Sequence, residues 1–302
     1  MIKEIKTYQT DRRMPLSKLY ESFDRFDDEL WIREKIHIQK FKTKNKGKNH
    51  SLPILGFRTK IKGPAIWLIS GIHGEEPAGP NALSHYIGFL NDLARRVPLV
   101  VLPICNPVGY VLNWRYPDQR RYKKDSVARS VGSSEHYLPD LKNNHKPREK
   151  MPLCEEAEDI TSYVLKQMRR YKPILVLDFH EDESSSSLYI YSQGKLGSND
   201  PIAKEVVSIL EAKGFKIRKK GKTMFNQIIK NGIIGKVHDG SIDELLAAKY
   251  IVMNKKLKIK PQAKSVIVIE TSTKNIPIET RIKAHSEVLL SAEKFYDMAR
   301  LI

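Results

Sequence analysis

The stretch Trp67–Glu76 reads Trp-Leu-Ile-Ser-Gly-Ile-His-Gly-Glu-Glu, and the rest of the chain is interpreted outward from it. The apolar run Ala65–Ile69 ends at a serine-glycine pair, which predicts a strand followed by a tight turn. His73 and Glu76 lie three positions apart in that turn, so both side chains can point at one ion. An imidazole and a carboxylate are typical ligands of a catalytic zinc ion, which takes a third protein ligand and keeps one open position. Because the chain has nine histidines, such a pair also arises by chance, and a solvated polar loop is the alternative.

The length of the chain allows one large α/β domain or two smaller ones. A chain of 302 residues and 34.8 kDa can bury a large core without disulfides. There is no internal repeat and no flexible linker, so we assign residues 1–302 to one domain, with residues 1–64 as an N-terminal helix and edge strands. Only Cys105 and Cys154 are present, which is compatible with a reducing compartment. No signal region precedes residue 14 and no run reaches membrane-spanning length, so we predict a cytoplasmic protein with no membrane partner.

The charge balance is strongly basic. Lysine and arginine number 53 against 35 acidic residues, a formal charge of +18. The excess lies in four patches, at 40–48, 120–124, 213–222 and 255–264. Solvated loops explain such patches, and a positive field that attracts anionic substrates is the functional alternative. No patch carries a nucleic-acid-binding motif, so we predict no specific nucleic-acid partner.

Apolar periodicity predicts alternating helices and strands along the chain. The predicted helices are 16–31, 82–95, 152–171, 202–213 and 282–299, and the predicted strands are 36–41, 52–58, 65–70, 99–104, 174–179, 188–191 and 265–269. Residues 42–49 are typical of a hairpin connection. Residues 113–150 form a long irregular segment, which in compact domains is commonly a functional loop.

Four of the apolar strands end in residues that can carry chemistry. They deliver His73 with Glu76, then Asn106, His180 and Glu270. Alternating strands and helices favour a largely parallel or mixed sheet, and ligands bind at the carboxyl ends of such strands. Taken singly, His180 could be a buried structural histidine and Glu270 a salt-bridge partner. Together, the four clusters predict one site at one edge of the sheet.

The residue types at this edge fit a hydrolytic zinc centre. His73, Glu76 and His180 would form a two-histidine, one-carboxylate shell with a position left for water. Glu270 would then be the general base, and Arg115 is the nearest cation for a developing oxyanion. A closed structural metal site is disfavoured, because it would use a fourth protein ligand.

Several segments resemble the zinc carboxypeptidase superfamily and occur in that family's order. They are 73–76 (His-Gly-Glu-Glu), 106–109 (Asn-Pro-Val-Gly) with 115–116 (Arg-Tyr), 152–156 (Pro-Leu-Cys-Glu-Glu), 178–180 (Asp-Phe-His), 240–243 (Gly-Ser-Ile-Asp) and 269–271 (Ile-Glu-Thr). The resemblance implies a three-layer α/β/α sandwich on a mixed, largely parallel sheet of eight strands, with one Zn2+ per chain. By matched position it implies His73, Glu76 and His180 as ligands, Glu270 as base and Arg115 as oxyanion partner. Asn106 is expected to bind substrate, and Ile242 to form an apolar pocket floor.

The sequence departs from this family in two places. The peptidases follow the arginine with an Asn-Arg pair that holds the substrate carboxylate, and residues 116–125 contain no such pair. Arg120, Arg121 or Arg129 could replace it. The peptidases also have a tyrosine about six residues before the serine of Gly-Ser-Ile-Asp, and here that position falls near Gly235. In both places the sequence instead resembles the succinylglutamate desuccinylase and aspartoacylase branch of the superfamily.

The first hypothesis is therefore a zinc-dependent hydrolase that cleaves an amide bond near the C-terminal carboxylate of a small peptide or peptide-like substrate, including anionic ones. The alternative is a zinc-dependent N-acyl amino acid deacylase that uses the same residues. A third hypothesis, of another class, is a catalytically silent protein that binds an anionic polymer through its basic patches.

Overall fold

The structure, a computed structural model, describes residues 5–42, 49–117 and 130–302. Its strands are β1 (Trp31–Lys42), β2 (Asn49–Thr59), β3 (Gly63–Ser70), β4 (Leu99–Leu102), β5 (Tyr171–Asp182), β6 (Tyr189–Ser192), β7 (Lys220–Lys222), β8 (Ile228–Lys230), β9 (Ile233–Ile234), β10 (Tyr250–Met253), β11 (Lys256–Ile259) and β12 (Ser265–Ser272). Its helices are α1 (Leu16–Phe23), α2 (Ala78–His85), α3 (Ile87–Ala94), α4 (Pro107–Leu112), α5 (Glu155–Gln167), α6 (Pro201–Ala212), α7 (Ile242–Ala247), α8 (Ile278–Leu290) and α9 (Ala292–Leu301).

The main sheet is mixed and has a parallel centre. Its strand order is β1-β2-β4-β3-β5-β12-β6-β9-β8-β7, and β10 and β11 form a separate hairpin. Strands β4, β3, β5 and β12 are mutually parallel, whereas β1, β2, β7 and β8 pair antiparallel. The described residues thus contribute ten strands to this sheet, not the eight that the resemblance implied.

Helices cover both faces of the sheet, because successive residues of the central strands point to opposite sides. In β3, Ile66 and Leu68 join the core under α1, α3, α8 and α9, whereas Ala65, Trp67 and Ile69 join the core under α5 and α7. All five side chains are essentially inaccessible to solvent. The predicted three-layer α/β/α architecture is confirmed.

The predicted strands of the centre are confirmed, but several predicted helices are shorter. The helix expected over 16–31 ends at Phe23, because the next aromatic residue, Phe26, packs from a turn and not from the helix. Phe26 lies 4.6 Å from the ring of Trp31 and 4.4 Å from that of Phe57, which buries it between a turn and two strands. The helices expected over 82–95 and 282–299 are each divided in two, at Tyr86 and Ser291. Most of the predicted hairpin connection, residues 43–48, lies outside the described residues.

The register of the parallel strands brings their carboxyl ends to one edge. Ser70 at the end of β3 lies beside Phe179 of β5, and His180 of β5 lies beside Glu270 of β12. Residues that are paired in register point to the same face, so His180 and Glu270 face the same space. In the three described ranges of the chain, no helix has the length and apolar character that a membrane span requires.

Candidate metal centre and active site

The turn after β3 is shaped by glycine. Gly71 adopts a φ of 63°, which most side chains avoid. A Cβ atom on Gly74 would lie 2.0 Å from the carbonyl carbon of Gly109, so only glycine lets the turn approach α4 this closely. The turn therefore places His73 and Glu76 at the edge of the sheet with little freedom to move.

His73, Glu76 and His180 converge at this edge, as predicted from the sequence. Nδ1 of His73 lies 2.7 Å from Oε1 of Glu76, and Nδ1 of His180 lies 2.9 Å from Oε2 of the same carboxylate. One ligand atom from each residue lies within 4.8 Å of the others. The second glutamate oxygen also accepts the backbone N–H of Glu181 at 3.1 Å. Three donors of the types that bind a divalent metal ion thus face one point.

Burial and charge act against each other in this cluster. Burial lowers the pKa of His73 to about 4, and the charge of Arg115 acts in the same direction. Burial alone would raise the pKa of Glu76, but the two histidines outweigh it and hold that pKa well below its usual range. Burial alone would lower the pKa of His180, but the negative charges of Asp178 and Glu76 outweigh it and raise that pKa well above 6.5. The cluster therefore favours a carboxylate beside positive charge, whether from a proton or a metal ion.

Two carboxyl groups lie behind His180. Nε2 of His180 is 3.2 Å from Oδ2 of Asp178, which is completely buried. Asp178, His180 and Asp243 form a second cluster whose ligand atoms lie within 4.8 Å of one another. Burial, and then the charge of Asp178, raises the pKa of Asp243 well above its usual range. The 3.2 Å contact places Asp178 where it can accept the N–H of His180 and fix the direction of its ring.

Glu270 is the fourth predicted residue at this edge. Burial raises its pKa to about 8, against the opposing charges of His180 and Arg115. Arg115 lies close by, and its Nη1 donates to Glu75 at 3.0 Å and to Glu76 at 2.9 Å. A proton-accepting carboxyl and a guanidinium therefore flank the three-residue cluster, as predicted.

Asn106, predicted to bind substrate, lies away from the cluster in the structure. It is completely buried and caps α4, where its Oδ1 accepts the backbone N–H of Gly109 at 3.0 Å. Its Nδ2 donates to the backbone carbonyl of Arg115 at 3.3 Å. The expectation that Asn106 binds substrate is wrong, because its amide holds the backbone beneath Arg115.

The other predicted substrate-binding residues divide into two groups. Ile242 begins α7 and lines a cavity beside His180, as expected of a pocket floor. Arg120, Arg121 and Arg129 lie outside the described residues.

Two cavities meet at the cluster. The inner cavity, of about 290 Å³, contains His73, His180 and Ile242 in its walls. The outer cavity, of about 480 Å³, contains Glu75 and Asp182 in its walls. A substrate that spans both would pass directly over the cluster, which is the arrangement of an active site rather than of a closed structural metal site.

Two residues of β6 and one just after it were not predicted to take part in the site. Tyr189 and Tyr191 alternate with Leu188 and Ile190, which belong to the core, and Gln193 continues the set that faces the cavities. Tyr189 lines the outer cavity, Gln193 the inner cavity, and Tyr191 both. This period of two in a short strand was the available signal, but it did not show which face met the site.

Arg13 was also missed, and no local pattern reveals it. Its side chain is fully buried, and Nη1 donates to the carbonyls of Gly74 at 2.9 Å and Tyr110 at 2.7 Å. Asp11 accepts from its Nε at 3.0 Å and balances its charge. Arg13 thereby holds the turn between His73 and Glu76.

An α/β/α fold with a histidine, glutamate and histidine cluster beside a buried glutamate defines a metallohydrolase type of site. Residues 34–290 match the sequence profile of the zinc carboxypeptidase family, and the chain belongs to that family. The family is zinc-dependent and supports a metallohydrolase activity for this chain. A search of curated protein sequences gave no match.

Solved structures share the fold at low sequence identity. A protein described as a metallopeptidase from Shewanella amazonensis is 19% identical, with a TM-score of 0.69 over 94% of this chain and 91% of that one. Bovine thrombin-activatable fibrinolysis inhibitor, solved with a tick carboxypeptidase inhibitor, is 13% identical, with a TM-score of 0.58 over 96% and 98%. A Pseudomonas aeruginosa metallocarboxypeptidase, solved with (2-guanidinoethylmercapto)succinic acid, is 14% identical, with a TM-score of 0.54 over 97% and 70%. At these identities the likeness concerns the fold alone.

Proposed function

We propose that the protein is a zinc-dependent hydrolase that cleaves an amide bond near the C-terminal carboxylate of a peptide or peptide-like substrate. The observation that carries this proposal is the convergence of His73, Glu76 and His180 within 4.8 Å, beside Glu270 and between two cavities. Membership of the zinc carboxypeptidase family supports it.

The donor set fits one zinc ion. Two neutral imidazole nitrogens and one carboxylate are the protein ligands of many catalytic zinc sites. His73 meets this need because burial lowers its pKa to about 4, and on His180 a bound metal ion would replace the proton that Asp178 and Glu76 favour. The contact between Nε2 of His180 and Asp178, 3.2 Å, leaves Nδ1 as the ligand atom, which is the arrangement expected around a bound metal. When bound, zinc would polarise the scissile carbonyl and lower the pKa of a water molecule.

The other residues would supply the proton transfers and the charge. Glu270 would accept the proton of the attacking water and later pass it to the leaving amine, for which a pKa near neutrality is well suited. Arg115 would turn its guanidinium toward the carbonyl oxygen as negative charge develops there. In the structure this guanidinium is bonded to Glu75 and Glu76, so it already lies at the cluster.

The family and the ligands of its solved relatives support the proposed substrate class. The neighbours solved with a carboxypeptidase inhibitor and with a succinic acid derivative support a substrate that carries a carboxylate. The alternative, an N-acyl amino acid deacylase, is favoured by the missing Asn-Arg pair in residues 116–125. The cytoplasmic location stays a prediction from the sequence.

Metal content of the purified protein is the first test of the site. We expect close to one zinc per chain in the wild type and loss of that zinc in His180→Ala, measured by elemental analysis. Absence of zinc from both proteins after reconstitution would contradict the proposal and favour the silent polymer-binding hypothesis.

Turnover by Glu270→Gln is the second test. We expect this variant to keep its zinc and to lose about 10²–10⁴-fold in kcat, because general acid-base catalysis contributes that much. Full activity would remove Glu270 from the role of base. Assayed on peptides with free C-terminal carboxylates and on small N-acyl amino acids, the wild type would also distinguish a peptidase from a deacylase.

A further inference from the structure

The inner and outer cavities share four residues, which we call the junction: Arg115, Tyr191, Phe225 and Glu270. The proposed function gives roles to Arg115 and Glu270 and none to the other two. A bond that is attacked next to Glu270 and Arg115 must lie at the junction. It therefore also lies against Tyr191 and Phe225.

The hydroxyl group of Tyr191 can offer a substrate only its lone pairs. The side chain is 9% exposed, and its O–H donates to Oε1 of Gln227 at 2.7 Å. The same Oε1 accepts the hydroxyl of Thr223 at 3.0 Å, so two protein donors fix the orientation of that amide. A phenol whose proton is engaged in this way remains a hydrogen-bond acceptor. Its place beside Glu270 is set by β6, because Tyr189 pairs in register with Glu270 and Tyr191 is two residues further along the same face.

The hairpin tip between β7 and β8 contributes an aromatic ring to the junction. Thr223 and Gln227 close a tight turn through a backbone hydrogen bond of 3.0 Å, and Asn226 within it has a φ of 60°. Phe225 projects from this turn into both cavities. The ring is 47% exposed, so a bound substrate would cover it, and a polar group of the substrate beneath the ring would then need a protein partner in place of water.

A scissile amide offers one donor, the N–H of its leaving group, and one acceptor, its carbonyl oxygen. The carbonyl oxygen needs cations or donors, which Arg115 supplies. The N–H needs an acceptor, which Tyr191 supplies. We infer that Tyr191 accepts a hydrogen bond from the N–H of the scissile bond, and that this contact makes the site selective for secondary amides over esters of the same shape. This inference rests on the proposed function and names a feature of its substrate.

The matched control is Tyr189, the other tyrosine on this face of β6. Its hydroxyl donates to Oδ2 of Asp182 at 2.9 Å, and it lines the outer cavity only. Tyr189→Phe and Tyr191→Phe therefore remove the same atom from the same strand. The two hydroxyl groups also interact with each other, so Tyr189→Phe controls for the loss of that interaction, and only Tyr191→Phe takes an acceptor from the junction.

The test compares a peptide substrate with its ester analogue, in which oxygen replaces the scissile N–H. We expect Tyr191→Phe to lower kcat/KM for the amide about tenfold, the value of one hydrogen bond of ordinary strength, and to leave the ester nearly unchanged. Tyr189→Phe should change both substrates by the same factor. An amide-to-ester ratio that Tyr191→Phe leaves at the wild-type value would overturn the inference.

A binding measurement separates this inference from the proposed function. The amide and the ester are titrated by calorimetry into zinc-loaded Glu270→Gln protein, with and without Tyr191→Phe. About tenfold weaker binding of the amide alone supports the inference even if the wild type hydrolyses neither compound, in which case only the proposed function fails. Equal affinity of the amide for both proteins, or no binding of it to either, overturns the inference.

Discussion

Strand β5 presents Glu181 to one face of the sheet and Asp178 and His180 to the other, and each of these side chains is at least nine-tenths buried. Glu181 is matched by the equally buried Arg281, with which it forms an ion pair, and it also accepts the backbone N–H of Ala78 at 2.7 Å. This face therefore balances its charge with groups of the chain itself. Both side chains also line the outer cavity, so the pair borders the site while it balances its own charge.

The opposite face has more acidic groups than cations among the described residues. Its buried or partly buried carboxyl groups are Glu76, Asp178, Asp243 and Glu270, and the guanidinium that reaches them is that of Arg115. Burial raises the pKa of Asp243 well above its usual range and that of Glu270 to about 8, and on the other face it raises the pKa of Glu181 to about 7. Burial thus acts on both faces, and what distinguishes them is whether the buried carboxyl groups are paired with a cation.

The largest expected effect concerns the balanced face. Glu181→Gln keeps the shape of the side chain but leaves Arg281 buried without a carboxylate, so we expect the free energy of unfolding of the metal-free protein to fall by about 3–5 kcal/mol. Zinc affinity should change by less than about tenfold, below the effect of losing a contact to a metal ligand. Chemical denaturation and zinc titration measure the two quantities. Unchanged stability would contradict the structural role of the pair.

The next effect concerns the uncompensated face. Asp178→Asn removes the carboxylate that orients His180, so zinc affinity should fall about 10–100-fold, as measured by competition with a coloured chelator. The metal-free protein should not lose stability, because one of two facing carboxyl groups has gone. A variant that loses stability but keeps its zinc affinity would place Asp178 with Glu181 as a structural residue.

The sequence predicts the site residues of the second face better than the buried ion pair of the first. His73, Glu76, His180 and Glu270 were predictable, because each follows an apolar strand and the carboxyl ends of parallel strands share an edge. Glu181 is adjacent to His180, yet its partner lies 100 residues away, and only the packing of α8 on the sheet brings the two together. Long-range pairs of this kind leave no period in the sequence.

Residues in short elements were the other source of error. Asn106 precedes a proline and ends an apolar strand, which fits a site residue and a helix cap equally well, and the six-residue helix α4 was not predicted. The two tyrosines of the four-residue strand β6 alternate correctly, but so short a run does not indicate what it faces. Only the tertiary contacts show that Asn106 caps a helix and that the two tyrosines face the cavities.

A further expected effect is a pH dependence of the balanced face. His285 is fully buried against Phe179, with ring centres 5.3 Å apart, and burial lowers its pKa to about 3. Between pH 6.5 and 3 the unfolded chain therefore binds a proton that the folded chain does not, and stability falls as the pH is lowered through this window.

Replacing this histidine should flatten the profile. His285→Gln should reduce the slope of unfolding free energy against pH, measured between pH 6 and 4, by about 1.4 kcal/mol per pH unit. His145→Gln, at an exposed position, is the control and should leave the slope as it is. A slope that persists in His285→Gln would assign the acid sensitivity to other groups.

The hydrogen bonds of Arg13 have a consequence for where the folding unit begins. The family match starts at residue 34, yet the guanidinium that fixes the turn between two ligands comes from twenty-one positions earlier. A chain trimmed to the matched residues would lose that guanidinium, and the carbonyls of Gly74 and Tyr110 would lose their buried donor. The residues that the family match covers are therefore fewer than the residues that hold the site in place.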